Sequence, residues 1–332
     1  REDLATDLGR DVGADFVTTD AAELLARPEV NAAIIATQES AHVVPVMQAL
    51  EHGHRLFIEK PLAVDVRESE QIAQAIASAG VDAVMGYTQR FRRRFLTVKE
   101  RLMTGQIGAV TAVSARAMLN RKIAEMCLAR ANQHDTTTPV VISGTHVLDM
   151  CLWLLAGKKP VSVYAHSTDH VFGAAGSKDA TFAIIELDDG GMLSLNHSWV
   201  APLVWPGAVY GMQIGIIGDR GVIDIEDMHR DLVLASELPQ GAGYKKGENE
   251  EMPRHVDFMG SIPFGEHAVG QVWGPVREET NSWFQHLYMG QDTPHTTAAE
   301  GHHNLLLCMA IDLSAKRGER LALPLETDDF YR

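Results

Sequence analysis

Asn31-Ala32-Ala33-Ile34-Ile35-Ala36, Arg55-Leu56-Phe57-Ile58-Glu59-Lys60-Pro61 and Val81-Asp82-Ala83-Val84-Met85 decide the fold. Each contains a short apolar run of the kind that forms a buried parallel strand. Helical patterns separate them. Ser40 opens one that ends at Gly53, and Pro45 inside it predicts an irregular start. Asp65 and Glu68 form a capping box for a second, which carries Ile72, Ala73, Ile76 and Ala79 and stops at Gly80. Strand and helix alternating at this spacing predict a parallel sheet with crossover helices. Ligands of such sheets collect beyond the carboxyl ends of the strands. Those ends are Thr37-Gln38, Glu59-Lys60-Pro61 and Gly86-Tyr87. Upstream, Arg1 to Gly13 and Ala21 to Ala26 read as helices, the first with Leu4, Ala5 and Leu8 on one face and the second capped by Asp20.

From about residue 109 the pattern changes. Val110 to Leu119 alternates at a strand period. Thr181–Leu187 and Met192–Trp199 flank Asp188-Asp189-Gly190-Gly191, a hairpin signal, and Met212–Ile217 and Val222–Ile225 flank a second at Gly218-Asp219-Arg220-Gly221. Asp231 to Ala235 suggests another strand, His146 to Leu155 a helix, and Gly241 to Gly274 a long surface excursion. Ala298 to Lys316 is a final helix with Leu305, Leu306, Met309, Ala310 and Leu313 toward a core. The expected division is a nucleotide-binding domain over residues 1–88 and a mostly antiparallel α/β domain over 89–332, with the last helix (about 298–316) packing back on the first domain.

The chain has 332 residues with 45% hydrophobic and 22% charged, enough for a large core without metal or disulfide staples. Its formal charge of −15 repels phosphate backbones and anionic lipid, which argues against nucleic acid and membrane surfaces as partners. Cys127, Cys151 and Cys308 are odd in number and far apart, so they read as thiols in a reducing, cytoplasmic compartment. The most apolar stretch, Val140 to Leu155, is broken by His146 and Asp149 and is no membrane span.

Lys60, directly after a buried strand, is placed either as a solvated loop lysine or as an ammonium facing the crevice, where it could polarise an oxygen or pass a proton. His146, on an apolar helix, is either a satisfied core histidine or a proton carrier. Asp149, one turn on, is a candidate anchor. Arg90 to Arg94 forms a basic patch that reads as a solvated face, a set of ion-pair donors or a phosphate contact. His302-His303 with Glu300, and His286 with His295, lack any HExxH or CxxC spacing, so no metal site is expected.

The order of these pieces resembles the Gfo/Idh/MocA family of nicotinamide-dependent oxidoreductases. The resemblance runs from Leu4 to about Leu323: Val30 to Thr37, His42, Ala49 to Gly53, Glu59-Lys60-Pro61-Leu62-Ala63, the turn Gly105-Gln106-Ile107-Gly108, the helix Gly144-Thr145-His146-Val147-Leu148-Asp149, and Gly218 to Gly221. It implies a Rossmann domain joined to an α/β domain with a large open-faced, mostly antiparallel sheet. It also implies NAD or NADP as cofactor, bordered by Ala36, Thr37, Gln38, His42, Glu59, Lys60 and Pro61, the last in a bond that is often cis in such proteins. Lys60 would be the active-site lysine and His146 the acceptor of the substrate hydroxyl proton. The substrate half is most similar to the inositol-dehydrogenase branch, in which Asn120 and Tyr210 fall at polyol-binding places.

Two departures stand out. That branch usually has an Asp four residues before the active-site His, and here the position is Ile142; either His146 works alone with Lys60, or another acid such as Asp135 reaches in, or the chemistry is altered. The GxGxxG strand–turn–helix that cradles a pyrophosphate is not present; the sequence is expected to be either a record truncated by roughly 30–40 residues, which the otherwise bare sheet edge favours, or a natural fragment that lost cofactor binding. The expected activity is hydride transfer between the cofactor and a hydroxyl carbon of a cyclic polyol, sugar or related small molecule, in a homo-dimer or homo-tetramer. The alternatives are a relative that uses NAD for a transient oxidation leading to elimination or glycoside cleavage, and a non-catalytic binding relative.

Overall fold

The computed structural model describes residues 1–131, 134–202, 210–226, 233–241, 253–258 and 265–332. They form two compact units, one of Arg1–Gly86 with His295–Leu305, the other of Tyr87–Pro294 with Leu306–Arg332.

The first unit follows the alternation read above. Helices α1 (Glu2–Val12) and α2 (Ala21–Leu25) precede strand β1 (Ala32–Ile35), followed by α3 (Val43–Glu51), β2 (Arg55–Ile58), α4 (Val66–Ala79) and β3 (Ala83–Met85). The Asp20 carboxylate accepts the Ala22 and Glu23 amides, and Asp65 accepts the Glu68 amide at 3.1 Å. Pro45 coincides with the irregular start expected of its helix: a 3-10 turn at Glu39–Ala41 comes first. β1, β2 and β3 pair in parallel, and Thr296–Thr297 adds an antiparallel edge beside β3. Leu56, Phe57 and Ile58 are buried at the sheet's centre, whereas Ile34 on the β1 edge is 53% exposed. Leu4 and Leu8 of α1 also face solvent rather than a core.

The second unit begins with helix α5 (Arg93–Met103), strand β4 (Val110–Asn120), α6 (Arg121–Arg130), α7 (Thr145–Leu154) and the strands β5 (Pro160–Thr168), β6 (Ala180–Leu187), β7 (Met192–Ala201), β8 (Tyr210–Gly218) and β9 (Gly221–Glu226). β10 (Val233–Gly241) pairs with β11 (Pro253–Phe258), and β11 and a hairpin of β12 (Glu266–Ala268) with β13 (Gln271–Trp273) fall in the stretch Gly241–Gly274 expected to be a long surface excursion. Helices α8 (Pro275–Met289) and α9 (Ala298–Arg317) follow. The main sheet has seven strands, in the order Leu321–Ala322, β5, β6, β7, β4, β8, β9, and only the β4–β7 pairing is parallel.

Alternation separates the two faces of this sheet. Val113, Ala115, Val163, Ala183, Ile185, Leu193 and Leu195 are buried on one face. Tyr164, Phe182 and Ile184 on the other are each about half exposed. Among the described residues no helix is long and apolar enough to cross a membrane.

Two turns singled out in the sequence meet here. The Arg220 amide donates to the Ile107 carbonyl and the Asp219 amide to the Ala109 carbonyl, each at 3.0 Å. The Ala109 amide donates back to Asp219 Oδ1 at 2.9 Å. The backbones approach so closely that a Cβ on Gly218 would lie 2.1 Å from the Ile107 carbonyl oxygen. Gly218→Ala is therefore expected to force these turns apart and destabilise the protein by about 1–3 kcal/mol. Urea unfolding checks this, and an unshifted midpoint would show that the contact yields freely.

Candidate active site

In the first unit the three strand ends expected to hold chemistry lie side by side, because β1, β2 and β3 are parallel neighbours. Ala36, Thr37 and Gln38 leave β1, Glu59, Lys60 and Pro61 leave β2, and Gly86 leaves β3. The Lys60–Pro61 bond is cis. Lys60 and Glu59 are half-buried and Pro61 is buried. The Lys60 amide donates to Glu59 Oε2 at 3.2 Å. Burial pushes the Glu59 carboxyl above its usual range, against the lowering influence of the Lys60 charge. A Cβ on Gly86 would lie 3.1 Å from the Glu59 carboxylate, so glycine there leaves the carboxylate its room. His42 is 1% exposed, and its ring nitrogens each sit 3.3 Å from a carbonyl oxygen, that of Leu62 and that of Thr37. It braces the loops beyond β1 and β2.

In the second unit every residue from Thr137 to Cys151 is buried except His146, which is half-buried. The segment opens with a π-helical turn over Val140–Gly144 and continues as α7. Such turns are frequent at functional sites because they redirect one side chain without breaking the helix. Ser143 fixes this one. Trp199 Nε1 donates to Ser143 Oγ at 2.6 Å, and Ser143 Oγ stands 2.6 Å from His197 Nε2. The Ala117 backbone bonds the His197 ring as well, and that bond only partly offsets the burial that pushes His197 down to about 3. His197 is thus neutral, and its Nε2 shares a hydrogen bond with Ser143 Oγ, which also donates to the Pro139 carbonyl at 3.2 Å.

Asp149 anchors α7, as its position one turn beyond His146 suggested. Arg90 Nε and Nη2 donate to its two oxygens at 2.9 and 2.7 Å, with both side chains 3% exposed. Of the basic patch, Arg90 is therefore an ion-pair donor, and neither it nor the buried Arg92 is a solvated face. Ile142 is 6% exposed, and Asp135, the acid considered as its replacement, is exposed. A different acid adjoins the start of the segment: Thr138 Oγ1 donates to Asp312 Oδ2 at 2.5 Å, and burial pushes the Asp312 carboxyl up to about 7. Asn120 Oδ1 accepts the Lys122 amide at 2.8 Å and so caps α6. Tyr210 pairs with Leu119 in the β4–β8 ladder, and its side chain lies outside the described residues. The histidines considered for metal have other neighbours: His302 bonds Ser69 Oγ, His286 sits 2.7 Å from the Gln291 carbonyl, and the His295 ring meets Phe57 edge-on. Among the described residues no group of three or more His, Cys, Asp or Glu could hold a metal ion.

Comparison with known proteins gives the same two-part division. The family described as "Oxidoreductase family, NAD-binding Rossmann fold" matches residues 2–87, and the "GFO/IDH/MocA C-terminal domain" matches residues 95–224. The chain belongs to the Gfo/Idh/MocA family of oxidoreductases. It is 32% identical to scyllo-inositol 2-dehydrogenase (NAD(+)) of Bacillus subtilis over 104 residues, which is 31% of this chain and 30% of that protein. It is 25% identical to inositol 2-dehydrogenase of Rhizobium meliloti over 252 residues, covering 74% of this chain and 69% of that one. The fold matches a probable dehydrogenase from Thermotoga maritima with a TM-score of 0.75 at 19% identity, covering 97% of this chain and 89% of the other. It also matches scyllo-inositol dehydrogenase from Lactobacillus casei with bound NAD(H) and scyllo-inositol, with a TM-score of 0.72 at 18% identity, over 95% and 86% of the two chains. As a Gfo/Idh/MocA protein, the chain has a nicotinamide-cofactor domain as its first unit. The aligned ends of β1, β2 and β3, with a half-buried lysine and a carboxylate given room by Gly86, fit the nicotinamide end of such a cofactor.

The neutral His197 has a consequence for stability. Unfolded, it protonates near its ordinary 6.5; folded, it stays neutral down to about 3. Below about pH 6.5 the unfolded chain binds a proton that the folded one does not, so this group removes stability as the pH falls. Asp312, raised from 3.8 to about 7, acts in the opposite sense: its contribution is full below pH 3.8 and is lost as pH rises through about 7. A variant must therefore be compared with the wild type at each pH. His197→Gln is expected to melt well below the wild type at pH 7 and to close part of that gap at pH 4.5. A gap constant with pH would mean that His197 titrates normally in the folded state.

Proposed function

We propose that this protein transfers hydride from a hydroxyl-bearing carbon of a cyclic polyol, sugar or related compound to a nicotinamide cofactor. The reading is carried by one observation: within a buried stretch, the residue left half-buried is an imidazole, His146. When bound, the cofactor supplies the hydride acceptor. Ala36, Thr37, Gln38, Glu59, Lys60 and Pro61 would hold its nicotinamide end, with His42 bracing two of their loops. Lys60 carries a positive charge that stabilises the oxygen as its proton leaves. His146 takes that proton as general base. Asn120 and Tyr210 bind other hydroxyls of the substrate.

Lys60→Ala and His146→Ala are each expected to lower kcat by about 10²–10⁴-fold while leaving the melting temperature near that of the wild type. The assay follows cofactor absorbance with scyllo- or myo-inositol. Full activity in Lys60→Ala would refute the assignment.

A second reading rests on Ile142, which puts an apolar side chain where the related branch has a carboxylate. In that reading the same residues support a transient oxidation that ends in elimination or glycoside cleavage. Substrate consumption without net change in cofactor absorbance would select it over the first.

We further propose that the chain works as a homo-oligomer paired through the exposed face of the seven-stranded sheet. Tyr164, Phe182 and Ile184 give that face an apolar centre larger than scattered surface residues would. Phe182→Glu with Ile184→Glu is expected to reduce the mass in light scattering to that of one chain. A wild type that is already monomeric at micromolar concentration would end this proposal.

A further inference from the structure

The buried segment that carries His146 raises a question that the helix itself does not answer: what fixes the imidazole's direction. The outer torsion of a histidine is broad and roughly two-fold, so helical backbone alone leaves the ring free to turn. A carboxylate on the same helix could hold it, but position 142 is isoleucine, and Asp149 gives both its oxygens to Arg90. Tyr87 meets the ring. Its ring centroid lies 6.0 Å from that of His146 at an interplanar angle of 82°. Its hydroxyl lies 2.9 Å from Thr145 Oγ1, on the residue next to His146. Tyr87 and Thr145 are each 1% exposed, so neither has room to swing. The Cys308 thiol also bonds Thr145, which holds that hydroxyl from a second side.

We infer that Tyr87 is the positioning residue for His146, setting the plane of the imidazole by an edge-to-face contact that its own hydroxyl locks through Thr145. A hydrogen bond and a ring contact in sequence carry this role. The phenol–threonine bond sets the tilt of the tyrosine ring, and the ring contact then sets the histidine. Near-perpendicular rings at this separation are a preferred aromatic geometry, so the contact selects one orientation rather than merely filling space. The catalytic part of the inference rests on His146 being the proton acceptor proposed above; the geometric part does not.

The test uses the full-length protein with 13C-labelled histidine, and His146→Gln assigns the resonance. Tyr87→Leu removes the ring, Tyr87→Phe keeps it without the hydroxyl, and Thr145→Val removes the hydroxyl's partner. Tyr87→Leu is expected to shift the His146 resonance and its titration midpoint, and to lower kcat by about 10- to 100-fold with little change in KM, as misplacement of a reacting group does. Tyr87→Phe and Thr145→Val should give smaller shifts of the same kind, and Thr145→Ser should restore the wild-type resonance. A His146 resonance and titration unchanged in a folded Tyr87→Leu protein would overturn the inference. If that variant does not fold, the resonance in Tyr87→Phe and Thr145→Val decides, movement supporting the role and constancy rejecting it. A wild type that turns over no polyol would defeat the functional reading alone, because the resonance still reports on Tyr87.

Discussion

The arrangement around His146 depends on a charge pair that has left water. Arg90 and Asp149 meet fork to fork with both side chains 3% exposed. Removing two ions from solvent is costly, and only such bidentate geometry offsets the cost. Deleting one partner would strand the other at about 3–5 kcal/mol. The pair is placed to matter. Arg90 lies three residues beyond Tyr87, and Asp149 three residues beyond His146. One guanidinium thus ties the turn after Tyr87 to the helix after His146. The same group donates to the Pro294 carbonyl at 3.3 Å and lies 5.5 Å from the Trp153 ring centroid.

What was legible in the sequence was whatever local chemistry writes there. Asp20 and Asp65 announce helix starts because a short carboxylate satisfies the first free amides, and both do so here. The strands around Asp188-Asp189-Gly190-Gly191 are legible from their period of two, since one face is buried and the other wet. Lys60 and His146 stand out by chemistry plus place. The partners that hold the second of them do not, because they come from far along the chain: Arg90 is 59 residues from Asp149, and Ser143 is 54 from His197. No spacing rule links such positions. Strand β5 and helices α6 and α8 also went unread. Helix α6 mixes Arg121, Lys122, Glu125 and Arg130 with apolar residues, several of them only partly buried, and its start depends on Asn120, a residue that the family resemblance assigned to substrate.

His42 shows the limit of carrying a role over by position. Next to a strand end it suits a cofactor contact, yet its ring is buried between the Thr37 and Leu62 carbonyls. Its effect on a ligand would pass through the loops it braces. Asn120 is similar: one oxygen is spent on a helix cap, so any contact with substrate falls to the rest of the amide.

Ile142 takes on meaning once its surroundings are known. A carboxylate beside an imidazole orients it, but also changes that restraint whenever either group changes its charge. Around His146 the restraints are of another kind. Ser143 is held by Trp199 and by a His197 that stays neutral to about pH 3. Thr145 and Tyr87 are neutral hydroxyls, and Asp149 is spent on Arg90. Asp312, whose carboxyl burial pushes up to about 7, touches the segment at Thr138, eight residues before His146. In the proposed role His146 gains and loses a proton in each cycle; Tyr87, Thr145 and Ser143 would hold it by contacts that do not themselves change charge, so the geometry that lets it take the proton would outlast the taking.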